Sequence, residues 1–143
     1  MKPNPPAARR QPTSRALSIG LWSAQVLLAA LFAISGTIKS MQSIELLHKA
    51  IRWTPSVPDA LIRFIGIAEL AGALGLLLPA FTRIAPRLTP VAATGLGVIM
   101  LFAAAFHISR GETAVLPFNT GLFALAAFVA WGRFVAAPIP PRA

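Results

Sequence analysis

The residue with the most chemical potential in this chain is a single carboxylate set inside an apolar run. Glu69 stands in Arg63-Phe-Ile-Gly-Ile-Ala-Glu-Leu-Ala-Gly-Ala-Leu-Gly-Leu-Leu-Leu-Pro79, among apolar and small neighbours. An ionised side chain at the centre of a bilayer costs about 3 kcal/mol on insertion scales, so Glu69 must be paired, protonated or facing water. The groups able to meet it are Lys39, Arg63, His107 and Asn119, with Gln25 as a further interior polar residue. Arg63 lies six residues away on the same helix, more than one and a half turns, and reaches only partly toward it. Lys39 or His107 from a neighbouring helix is therefore the expected partner. Such a cluster has three uses: a buried polar clasp that fixes helix packing, a small pocket for a quinone head, a proton or another small polar ligand, or a contact with a partner subunit.

Other ligand-like spacings carry less. His48 and His107 could be imagined as axial haem ligands, but His48 falls on a surface segment. Glu45-Leu-Leu-His48 has the Glu-x-x-His spacing of di-iron bundles, which need a second such pair and two further glutamates; Glu69 and Glu112 remain, and no second pair exists. The chain has no cysteine, which removes thiol chemistry and CxxC redox pairs. The glycines of Gly72-Ala-Leu-Gly75 and Gly95-Leu-Gly97 sit in apolar segments, where they serve helix contact rather than phosphate binding. No metal site is expected, no cofactor is required, and no catalytic motif is present.

The elements that must position these residues follow from hydropathy. Hydrophobic residues make up 56% of the 143, above the roughly 45–50% of ordinary soluble domains, and they fall in four blocks: Ala16 to Ile38, Ala60 to Pro79, Leu88 to Phe106 and Leu116 to Trp131. Each is close to the ~17–25 residues that cross ~30 Å of hydrocarbon as a helix, the last by extending toward Val135. Without apolar/polar alternation they cannot be barrel strands. The expected fold is all-α: an integral membrane four-helix bundle spanning 16–135, between a disordered basic cytoplasmic tail (1–15) and a flexible C-terminal tail (136–143).

A signal peptide is a poor match for the first block, since 23 residues separate Arg15 from Lys39 and a signal h-region runs about 7–15. Ala29, Ala33 and Gly36 give this helix a small-residue face. Between Lys39 and Asp59, Met41, Ile44, Leu47 and Ile51 recur at helical spacing opposite Gln42, Glu45, Lys49 and Arg52. That pattern predicts a short amphipathic helix in the interface, with Trp53 at headgroup level. Asp59 is expected to cap the second helix, Pro79 to end it, and Thr89-Pro90 to open the third.

The net charge of +9 is not a nucleic-acid signature here, because the cations lie between and beyond the apolar blocks, where they set topology and meet anionic lipid. Lys2, Arg9, Arg10, Arg15, Arg83, Arg87, Arg133 and Arg142 fall on one side, and Lys39, Lys49, Arg52, Arg63 and Arg110 on the other. The positive-inside bias puts both termini in the cytoplasm. Lys39, Arg63, Glu69, His107 and Asn119 then converge in the outer half, Gln25 reaches a similar depth to Glu69 from the opposite face, and the inner half holds few interior ionisable groups.

At these residues the chain resembles the DoxX-like family of small four-helix bacterial membrane proteins. Phe32-Ala-Ile-Ser-Gly-Thr-Ile-Lys39 is similar to the end of the family's first helix, Ile65-Gly-Ile-Ala-Glu69-Leu-Ala-Gly-Ala-Leu-Gly-Leu-Leu-Leu-Pro79 to its second, Leu88-Thr-Pro-Val-Ala-Ala-Thr-Gly-Leu-Gly to its third, and His107-Ile-Ser-Arg-Gly-Glu112 to the turn that follows. The family's name comes from an association with thiosulfate-to-quinone oxidation, and other relatives are linked to membrane redox complexes. The resemblance implies a non-catalytic accessory subunit of a quinone-linked redox system, with a quinone as a possible ligand and another membrane subunit or a second copy as partner. A small-solute or proton pathway and a purely structural partner are the alternatives.

Overall fold

The structure is a computed structural model that describes residues 14–142; all but the last two residues of the predicted basic tail lie outside the described range. Five helices follow in order: α1 (Arg15–Met41), α2 (Ile44–Ala50), α3 (Asp59–Thr82), α4 (Leu88–Ser109) and α5 (Leu116–Trp131). A single 3-10 turn precedes α3, another precedes α5, and a π-helical segment, Gly132–Ala136, extends α5. The spans α1, α3, α4 and Thr113–Ala136 are 27, 24, 22 and 24 residues long, and even 22 residues rise about 33 Å, enough to cross a bilayer. The chain is an all-α, multi-pass membrane bundle.

α1 packs chiefly on α3, α4 on α5 and α3 on α4, and α1 against α5 completes the ring. Leu28, Phe32, Leu76, Leu96, Ala126 and Val129 fill its interior. Outward-facing Ile19, Leu27, Leu74, Leu101 and Phe123 remain exposed, as lipid-facing residues of a span must.

Several element boundaries differ from the sequence expectation, each for a local reason. α1 continues through Lys39 to Met41, and its last carbonyls are capped by Arg63, which donates to Lys39 O and Gln42 O; a cation at a helix C-terminus also suits the helix dipole. The interfacial helix shrinks to Ile44–Ala50, capped by the Ser43 hydroxyl. Its Leu47 is buried, and Glu45 and Lys49 pair on the exposed face. Pro58, not Asp59, is the N-cap of α3, and Asp59 becomes its first residue, where a carboxylate favours the helix N-terminus. Pro79 lies inside α3, which ends at Thr82 with Arg83 in a left-handed cap (φ 60°). Proline there removes only one backbone bond, and the helix continues for less than a turn. Thr89 does not cap α4; Arg87 holds that position, and the Thr89 hydroxyl lies buried, 3.5 Å from Leu76 O.

α1 and α3 touch backbone to backbone. A Cβ on Gly66 would lie 2.8 Å from Ser40 N and 3.0 Å from Gly36 O, and one on Gly36 would lie 2.7 Å from Gly66 O. This crossing brings the end of α1 onto the first half of α3, and so sets Lys39 beside Glu69.

Candidate functional site

Side chains on a helix lean toward its N-terminus. Lys39, near the C-terminal end of α1, therefore leans back into the bundle, and Glu69, on the antiparallel α3, leans toward the end where Lys39 stands. They meet: Lys39 Nζ donates to Glu69 Oε1 at 2.6 Å and Oε2 at 2.9 Å, and to Ser35 Oγ at 2.6 Å one turn back. The Glu69 side chain is 2% exposed and that of Lys39 12%. The carboxylate is thus paired inside the protein rather than presented to lipid.

The ion pair forms part of the wall of a cavity of about 530 Å³ between α1, α3, α4 and α5, otherwise dominated by apolar and aromatic side chains such as Phe32, Ile65, Met100 and Leu122. His107 and Asn119 also line it. Asn119 is 8% exposed, and its buried Nδ2 has no hydrogen-bond partner among the described residues. A buried donor left unpaired costs about 1–3 kcal/mol, so this amide marks a place where an acceptor would be welcome. Phe64, Phe102 and Phe118 line the cavity yet are 67%, 71% and 62% exposed. Phe64 lies about 7 Å along α3 from its start and Phe102 about 10 Å from the end of α4, so the mouth opens on the lipid-facing flank. Trp53, edge-on to Phe106 at 6.2 Å, lines the cavity from the connection between α2 and α3.

The remaining sequence candidates divide. Arg63 is a helix cap, bonded to Lys39 O and Gln42 O rather than to Glu69. His107 borders the cavity, but its Nδ1 bonds Glu112 Oε2 at 2.7 Å instead of Glu69. Gln25 is not in this cluster at all: it lies fourteen residues before Lys39 on α1, about 21 Å away along the axis. Its Nε2 donates to Leu76 O at 2.6 Å, and its Oε1 accepts from Arg133 Nε at 3.0 Å. His48 Nε2 lies 3.3 Å from Asp59 Oδ1, and Glu45 pairs with Lys49; neither lines the cavity.

Arg133 is the residue that sequence reasoning missed. Counted as a topological charge beyond the last helix, it is instead 5% exposed, with its guanidinium 4.9 Å from the Trp22 ring centroid. The signal was the run of Trp22 and Gln25, three residues apart on one helical face, opposite Gly132, which lets α1 come close: a Cβ there would strike the Leu21 side chain.

Outside the spans, the α4–α5 turn is locked by Glu112, which also accepts from Arg110 Nε at 2.9 Å. The His107 hydrogen bond, followed by that of Arg110, holds the Glu112 carboxyl below its usual pKa. A lowered acid stabilises the folded turn fully above the ordinary glutamate range, and that contribution disappears as pH falls through the lowered value. Amide protection at Gly111 and Glu112 in micelles should therefore hold from neutrality down to the glutamate range and fall below it, whereas Glu112→Gln should give low protection throughout. A wild-type profile matching that of Glu112→Gln would remove the carboxylate from this role.

Four spans around an aromatic cavity that carries a buried ion pair define a small multi-pass membrane protein with an internal lipophilic pocket. Residues 23–129, most of the chain, match the family model described as the DoxX-like family, and the chain belongs to that family. No curated protein and no solved structure matches it.

Proposed function

We propose that this protein binds a quinone in the Lys39–Glu69 cavity and serves as a non-catalytic accessory subunit of a membrane redox system. The observation that carries the reading is Asn119, which lines a largely apolar cavity and whose buried Nδ2 has no hydrogen-bond partner among the described residues. A quinone offers flat apolar carbon to the aromatic walls and carbonyl oxygens as acceptors for Asn119, and its lipid tail suits a mouth on the membrane flank. The Lys39–Glu69 pair supplies a polar end beside which the head would settle. Flux gains no such support: Leu28, Ala73, Leu76 and Leu96 occupy the interior between the two polar clusters, and no buried polar side chain joins them among the described residues.

Trp53 gives the test. In a Trp22→Phe, Trp131→Phe background, a short-chain ubiquinone should quench Trp53 saturably, and Asn119→Leu should weaken the binding by about tenfold, the worth of one buried hydrogen bond. Quenching that rises linearly without saturation, equally in both proteins, would reduce the quinone to a bulk collisional partner.

The orientation belongs to the same reading: a bacterial cytoplasmic membrane, both termini cytoplasmic, the cavity in the outer half. Because the chain has no cysteine, single replacements at Arg110 and Arg87 report cleanly. An impermeant maleimide should label the first from outside the cell and not the second; the reverse pattern would invert the topology.

A further inference from the structure

The four carboxylates of the side chains, Glu45, Asp59, Glu69 and Glu112, all belong to the cavity half of the bundle or to its connections, and each has a basic neighbour there. The opposite end, where α1 and α4 begin and α3 and α5 finish, carries Arg15, Arg83, Arg87, Arg133 and Arg142 and no acidic side chain. Arg133 is buried there without a counterion among the described residues. Its Nε is bonded to Gln25, its Nη1 lies 3.5 Å from Ala137 O, and its Nη2 is buried with no partner. A cation taken out of water ordinarily needs an anion close by.

The local backbone is built around this side chain. The π turn, closed by Ala137 N donating to Gly132 O at 2.6 Å, carries α5 beyond Gly132 and so sets Arg133 over Trp22. Next to it is a cleft of about 360 Å³, lined by Ser18, Trp22, Phe81, Arg83, Arg133 and Ile139. Arg83 holds a left-handed conformation, φ 60°, at the end of α3, a position that glycine fills without strain. A long basic side chain is thus kept at a backbone cost, in the wall of a cleft also lined by Arg133, whose guanidinium has no counterion among the described residues.

We infer that this cleft binds the oxyanion of a phosphate group, held by the guanidinium groups of Arg133 and Arg83, with the Ser18 hydroxyl as a further donor. Two guanidinium groups suit a tetrahedral oxyanion better than a single carboxylate, because each offers planar pairs of N–H donors. The site lies at the end of the spans, where headgroup phosphates stand, and a soluble phosphate has the same chemistry.

The full chain, delipidated in neutral detergent and carrying Trp53→Phe and Trp131→Phe, leaves Trp22 as the reporter. It is titrated with inorganic phosphate and, separately, with dihexanoyl phosphatidylglycerol. The expected result is a saturable Trp22 response that Arg83→Gly and Arg133→Lys each weaken by about tenfold, the loss of one charge-assisted bond. Arg83→Gly relaxes the backbone, so its thermal unfolding should be unchanged or raised, which separates lost binding from lost folding. Saturation by the phospholipid alone assigns a headgroup as the ligand, and saturation by inorganic phosphate assigns a free anion. No saturable response to either, or one that Arg83→Gly leaves intact, overturns the proposal.

Discussion

Gly66→Val is expected to prevent the bundle from assembling, and Gly66→Ala to lower its stability by about 1–3 kcal/mol, the range for overpacking a close-packed contact. The alanine methyl would meet Ser40 N at 2.8 Å and Gly36 O at 3.0 Å, and backbone atoms cannot swing aside as a side-chain tip can. α1 and α3 must then separate, and the Lys39–Glu69 contact opens with them. Gly95 is the internal control, since a Cβ there meets nothing within 4 Å; Gly95→Ala should gain roughly 0.5–1 kcal/mol from helix propensity. Unfolding followed in mixed micelles distinguishes the two. Equal behaviour of Gly66→Ala and Gly95→Ala would show that the crossing is looser than 2.8 Å contacts allow.

The second large effect is electrostatic. Glu69→Gln leaves the Lys39 ammonium, 12% exposed, with Ser35 and a neutral amide in an apolar cavity. Removing one partner of a buried pair costs about 3–5 kcal/mol, and unfolding should shift accordingly. Replacing both, Lys39→Met with Glu69→Leu, should restore most of that stability, because apolar residues of similar volume often match a buried pair. The double variant also divides the two uses of the cluster. If the pair is only a clasp, the double variant folds and Trp53 still titrates with quinone at unchanged affinity. If the pair orients a ligand, the variant folds and that affinity falls; this second outcome is the one expected, and the first would falsify a binding role for Lys39 and Glu69.

How much of this was legible beforehand depended on whether a residue's constraint was local. The four spans were readable because hydrocarbon thickness imposes a length on any apolar block. That Glu69 meets a cation from a neighbouring helix was readable too, since an isolated carboxylate in a span demands one and few were available, but the choice between Lys39 and His107 was not. Gln25 was misplaced because depth alone does not say which end of the bundle a mid-helix residue leans toward; the tilt of Cβ toward the N-terminus does, and it turns Gln25 toward Arg133. Arg133 was hidden by the glycine before it, which reads as a stop signal while the backbone continues as a π turn. The Glu112 link of His107 was overlooked because a five-residue spacing across a turn has no helical periodicity to announce it. The unused donor on Asn119 and the flank opening at Phe64 and Phe102 had no sequence signal, being properties of four helices together.

That opening changes how occupancy should be counted. A molecule entering between Phe64 and Phe102 comes from the plane of the membrane, a two-dimensional reservoir in which hydrophobic molecules are already concentrated. Its saturation is then governed by mole fraction in the bilayer and is indifferent to the volume of water around it. Diluting a vesicle suspension should leave the cavity as full as before, whereas adding plain lipid to the same vesicles should empty it.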